Sequence, residues 1–205
     1  MAISNFSELQ SAIDNWLHRT LDTARVQEII ALGEAKIRDD LRVREMEFTT
    51  DLTVSSSTVS LPSGYLGARR LYLDGSPKRS LKYVTPEHFY SIWASSESGP
   101  PKVFTAEADS LEFGPSPDQT YTGKLLYWKL DALSDASPTQ RLLTNNPNIY
   151  LYASLSESAP YTGNDERLPM WETKYAQAID KKKKSNRTDR YGGQSLQAQT
   201  ATGNP

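Results

Sequence analysis

The chain has 205 residues, enough for one domain or for one domain with an insertion, and no cysteine, which excludes disulfide frameworks, thiolate metal centres and cysteine nucleophiles. Its hydrophobic share of 37% is low for a compact fold and points to extended tails or to surface that partners cover. Lys and Arg number 23 against 25 Asp and Glu, so the formal charge of −2 rules out a uniformly basic nucleic-acid binder.

The first residues carry neither a basic stretch nor an apolar core, so no secretion signal is expected. No apolar run approaches the roughly 18 residues of a membrane span. A helix is predicted over 5–18. Asn5 stands at the cap, Glu8 follows at the capping-box position, and Phe6, Leu9, Ile13, Trp16 and Leu17 recur every three or four residues. After a break at 19–21, Asp22 or Thr23 caps a second helix that runs to Leu41 along Val26, Ile29, Ile30 and Ile37. Gly33 inside it costs about 1 kcal/mol against alanine but admits a close neighbour. The short connection makes the two helices an antiparallel pair.

The period then changes to two. Strands are predicted at 48–54, 58–61, 68–73, 80–84, 102–106, 111–113 and 120–130, with Asp74-Gly75 as a hairpin signal. Thr85-Pro86 opens a short helix to Trp93. Strands at this spacing suggest a small antiparallel sandwich or barrel. Asn146-Pro147 starts a helix to Ser158, and Asp165 caps a last one bearing Leu168, Trp171, Tyr175, Ala178 and Ile179. From Ser185 onward no apolar period remains, so 185–205 reads as a flexible arm. The expected fold is therefore α+β. An antiparallel bundle of four helices (1–46 and 145–184) carries an inserted small antiparallel β domain with one short helix (47–144) and an extended C-terminal arm.

Chemistry is sparse. His18 and His88 are not spaced as metal ligands, and no phosphate-binding loop or nucleophile elbow is present. Asp39-Asp40 reads as solvated helix-end charge. No catalytic residue, metal or cofactor is expected, and the chain is not expected to be an enzyme. Two features exceed background. Arg38, Arg42 and Arg44 end the second helix, and Arg69-Arg70 lies in a strand. Arginine is favoured at interfaces because it pairs bidentately with carboxylates, so these five are candidate subunit-interface residues; a solvated helix end is the plainer alternative. The second feature is charge asymmetry. Lys181, Lys182, Lys183, Lys184, Arg187 and Arg190 face Asp189 alone, a local +5 that leaves −7 for the rest. This stretch, ending at Tyr191, suits an arm that folds onto a partner, a grip on nucleic acid, or a solubilising tail.

Several stretches together resemble the head-to-tail adaptor (connector) family of tailed bacteriophages, nearest in pattern to the short-tailed type. They are 6–16, Ile37-Arg38-Asp39-Asp40-Leu41-Arg42-Val43-Arg44, Leu61-Pro62-Ser63-Gly64-Tyr65-Leu66, Arg69-Arg70-Leu71-Tyr72 and Leu81-Lys82-Tyr83-Val84-Thr85-Pro86. The stretch 111–117, Leu142-Leu143-Thr144-Asn145-Asn146-Pro147, Tyr150-Leu151-Tyr152-Ala153, and Asp165-Glu166-Arg167 with Trp171 complete the set, which covers about 1–180. The resemblance implies a non-enzymatic structural protein in a dodecameric ring. That ring would sit below the portal, receive the tail nozzle and pass DNA through its lumen. It implies residence at the head–tail junction of the virion after synthesis in the bacterial host cytoplasm, with no membrane partner. The basic arm, Lys181 to Tyr191, then becomes the candidate portal-docking segment. A DNA-binding or packaging accessory protein that grips through the same cations is the alternative.

Overall fold

Local signals start the helices where the sequence places them. Asn5 Oδ1 accepts the Glu8 backbone N–H at 2.9 Å, and Glu8 reaches back to the Ser4 backbone N–H at 2.7 Å. That satisfies donors a helix start leaves open, and α1 runs Phe6–Leu17. It stops at His18, whose φ of 53° lies in the left-handed region. Helix α2 spans Thr23–Asp40, α3 Pro86–Ile92 and α4 Arg141–Asn145. Helix α5 spans Pro147–Ser156, α6 Ala159–Thr162 and α7 Leu168–Tyr191. The computed structural model describes residues 3–93, 97–163 and 165–191.

The chain divides into two compact units. One comprises Met1–Glu45 and the chain from Ala132 onward; the other is Met46–Asp131. In the helical unit α5 is the centre, packed by α1, α2 and α7 and buried on nearly every side, including Ile149, Tyr150, Ala153 and Leu155. A helix that is apolar all round must be enclosed. Gly33 makes one enclosure possible: a Cβ there would stand 2.9 Å from the Ser154 backbone nitrogen. The backbones of α2 and α5 therefore meet where any side chain would separate them.

The second unit is a single seven-stranded sheet. Its strands are β1 (Glu47–Val54), β2 (Thr58–Ser60), β3 (Tyr65–Leu73), β4 (Arg79–Tyr83), β5 (Val103–Glu107), β6 (Ser110–Gly114) and β7 (Tyr121–Lys129). The order is β1-β7-β3-β4-β5-β6-β2. The two end strands, β1 and β2, also touch one another, so the sheet is nearly closed into a barrel. Alternate residues point inward, and Leu52, Val54, Leu71, Leu73, Phe104, Phe113 and Leu125 fill the interior. On the outside α3 packs against β5. Gly114 permits a close approach there, since a Cβ would lie 2.8 Å from the Trp93 ring.

Three expectations need correction. The helices number seven among the described residues, because α4 and α6 are single turns too short to show a period. The β region is a nearly closed seven-stranded sheet with a parallel β4–β5 pair, larger than a small antiparallel insertion. The C-terminal arm does not begin at 185: α7 continues as helix to Tyr191. The rest of the expected arm, 192–205, lies outside the described residues.

Candidate functional site

The five candidate interface arginines have four different fates. Arg42 folds back onto the end of α2, its Nη1 donating to the carbonyls of Arg38 and, at 2.8 Å, Leu41. Those carbonyls have no partner within the helix, and a cation also suits the negative end of its dipole. Arg38 is half-buried beside Glu34. Arg69 pairs with Glu47 at 2.6 Å across the sheet, so its charge is met within the chain. Arg44 and Arg70 are exposed and have no ion pair among the described residues. Arg38, Arg42 and Arg44 share the end of α2 in the helical unit; Arg69 and Arg70 lie on β3 in the other.

The basic stretch is sorted by the helix that carries it. Lys182, Asn186 and Arg190 are partly covered, and the spacing of four puts them on one face of α7. The Lys182 ammonium pairs with the Glu45 carboxylate, with side chains only 11% and 19% exposed. Asn186 Oδ1 accepts the Arg44 backbone N–H at 3.0 Å. Burial alone would raise the Glu45 carboxyl; the hydrogen bond and charge of Lys182, helped by Arg44, outweigh it and hold the group below its ordinary value. Lys184 reaches back one turn to Asp180 at 2.7 Å, both side chains exposed. Lys181, Lys183 and Arg187 are exposed without an ion pair among the described residues. Tyr191 ends the helix.

Sequence reasoning missed the polar groups between the helices. Tyr175 donates its hydroxyl to Asp40 at 2.9 Å, so Asp40 is not merely solvated charge. Lys36 lies over the Tyr175 ring and pairs with Glu157 at 2.8 Å. Lys36, Asp40 and Tyr175, with Ile179 and Lys183, line a hollow of about 450 Å³ beside α2 and α7. Deeper in, Glu34 is 2% exposed and accepts the Leu133 backbone N–H at 2.9 Å. Burial pushes its carboxyl up to about 7, against smaller opposing effects of that hydrogen bond and of Arg38. The signal was available: Glu34 interrupts the apolar stripe of α2 four residues after Ile30 and beside Gly33.

The Asp165-Glu166-Arg167 stretch has a mechanical role at the start of α7. The Arg167 guanidinium grips Asp165 bidentately at 2.9 and 2.7 Å, donates to the Trp16 carbonyl at 2.9 Å and lies 5.0 Å from the centre of the Trp171 ring. The hydrogen bonds from Arg167 hold the Asp165 carboxyl down to about 2. Trp171 itself is fully buried. Among the described residues no group of three or more His, Asp or Glu side chains is arranged to hold a metal ion. No helix of the described residues is long and apolar enough to cross a membrane. The arrangement offers exposed cations that have no ion pair among the described residues, carried on an ordered helix.

No curated protein matches the chain. A family model described as SU10 adaptor protein matches residues 4–199, which takes in both units and all of α7. With nearly the whole length matched, the chain belongs to the SU10 adaptor protein family, a family of phage head-to-tail adaptors.

Proposed function

We propose that the protein is a structural, non-catalytic adaptor that forms a ring, dodecameric by resemblance, between the portal and the tail nozzle of its phage. The lumen of the ring passes the genome on ejection. The observation that carries this reading is the family match over 4–199. The helical unit (Met1–Glu45 and the chain from Ala132) and the sheet unit (Met46–Asp131) are its two working parts. A ring that closes head to tail needs two different faces on each subunit, and Arg44 and Arg70 are the interface arginines free to cross to a neighbour. Lys181, Lys183 and Arg187 on α7 are the portal-docking cations. The assembled protein is a virion component at the head–tail junction, made in the host cytoplasm.

One observation favours a second reading, a DNA-binding accessory protein: the same three cations are exposed and unpaired among the described residues. Two measurements separate the readings. The adaptor reading expects capture of the chain by immobilised portal, with weak DNA binding at moderate salt. The accessory reading expects tight binding to duplex DNA that falls steeply with salt, by a log–log slope of about 0.9 per phosphate contacted. Failure of portal capture together with such a slope would overturn the adaptor reading.

A further inference from the structure

Helix α7 outlasts its own apolar support. Ile179 is its last buried apolar residue, yet the helix continues for twelve more residues to Tyr191. At about 1.5 Å per residue that is some 18 Å of helix with no hydrophobic face. A helix end without packing frays in water, because most helical stability in proteins comes from a packed face, so order here calls for an anchor. The anchor is polar. Lys182 pairs with Glu45, and one turn further Asn186 accepts the Arg44 N–H. Both partners follow directly on Val43, which is fully buried, so they are fixed to the body. The pair is largely covered, which limits screening by salt. Among the described residues, the exposed cations of this stretch without an ion pair are Lys181, Lys183 and Arg187.

We infer that the Glu45–Lys182 pair with the Asn186–Arg44 hydrogen bond is a positioning clasp. It holds the cationic end of α7 as a preformed rod, so a docking partner meets an ordered face and bears no cost of ordering an arm. Lys182 is then a positioning residue, and Lys181, Lys183 and Arg187 are the contact residues. This inference rests on the portal-docking reading of α7.

The test uses the full chain and four proteins: wild type, E45K, K182E and the swap E45K/K182E. Hydrogen exchange reads the order of 183–191, and binding to immobilised portal reads docking. Each single variant should lose about tenfold or more of the amide protection over 183–191, with α5 unchanged. Each should also bind portal more weakly. The swap should restore both, with affinity within about twofold of wild type although the charge at 182 is reversed. Unchanged protection in the single variants would overturn the clasp. A swap that is ordered but docks as poorly as K182E would also overturn it, because Lys182 would then be a contact. A wild-type chain that ignores portal while the exchange pattern holds would overturn the docking reading and leave the clasp supported.

Discussion

The two halves of α7 are one helix held by two kinds of force. From Leu168 to Ile179 it is fixed by burial, with Trp171, Tyr175 and Ile179 set against α5 and its neighbours. From Asp180 to Tyr191 it is tied down by polar contacts, those to Arg44 and Glu45 among them. Apolar burial of a large side chain is worth several kcal/mol, whereas a largely covered ion pair nets about one or less, because desolvation of both charges offsets most of their attraction. The first half therefore decides whether the helical unit folds, and the second decides how a surface is presented. Two carboxylates of the helical unit, Glu34 and Glu45, differ in the same way. Glu34 is buried without an ion pair among the described residues and is pushed up to about 7; Glu45 meets Lys182 and is held below its ordinary value.

The largest expected break falls in the apolar half. Trp171→Ala should cost about 3–5 kcal/mol in denaturant unfolding of the helical unit, because a fully buried indole leaves a cavity that cannot collapse. Next comes Glu34→Gln, which keeps the acceptor for the Leu133 N–H and removes the buried charge. The folded carboxyl is raised from 4.5 to about 7, so the folded chain holds a proton that the unfolded chain releases. Stability from this group is present below about pH 4.5 and is lost as pH rises through 7. At pH 8 the variant should be more stable than wild type by up to about 3 kcal/mol, at about 1.4 kcal/mol for each pH unit. The gap should vanish near pH 4.5. A wild-type profile that is flat from pH 5 to 8 would contradict this.

Gly33→Ala tests the backbone contact beneath α5. Alanine gains about 1 kcal/mol of helix propensity, but its Cβ would meet Ser154 backbone at 2.9 Å and push α2 away. The net loss should be about 1–2 kcal/mol by the same unfolding measurement. The smallest global effect belongs to the polar half. Glu45→Gln should change unfolding free energy by less than about 1 kcal/mol while exposing the amides of 183–191 to exchange. A loss as large as that of Trp171→Ala would erase the distinction between the halves.

The apolar half was legible in the sequence for the same reason that it is stable. Trp171, Tyr175, Ala178 and Ile179 repeat at helical spacing, and burial follows the repeat. The part of the polar half beyond Lys184 reads as an arm in the sequence because a clasp made by one lysine and one asparagine leaves no period in hydrophobicity. Glu34 shows the complementary blindness, since a charge on an apolar stripe reads as an interruption when it is the tether for Leu133. In the β unit alternation identified the inward faces of Leu52, Val54, Leu71 and Leu73, but alternation carries no record of partners. The pairing of β1 with β7 joins residues about 70 positions apart, and only the structure shows it, as it alone shows the end strands β1 and β2 meeting to nearly close the sheet. Arg69 looked like an interface residue until Glu47 was found beside it, whereas Arg70, its neighbour in sequence, stays exposed.

The most direct measurement is the mass of the purified chain by light scattering, alone and after mixing with the portal protein of its phage. A structural adaptor predicts a ring-sized complex in the mixture, lost when Lys181, Lys183 and Arg187 are replaced together by glutamate. A chain that remains a monomer and leaves the portal peak unchanged would contradict the account.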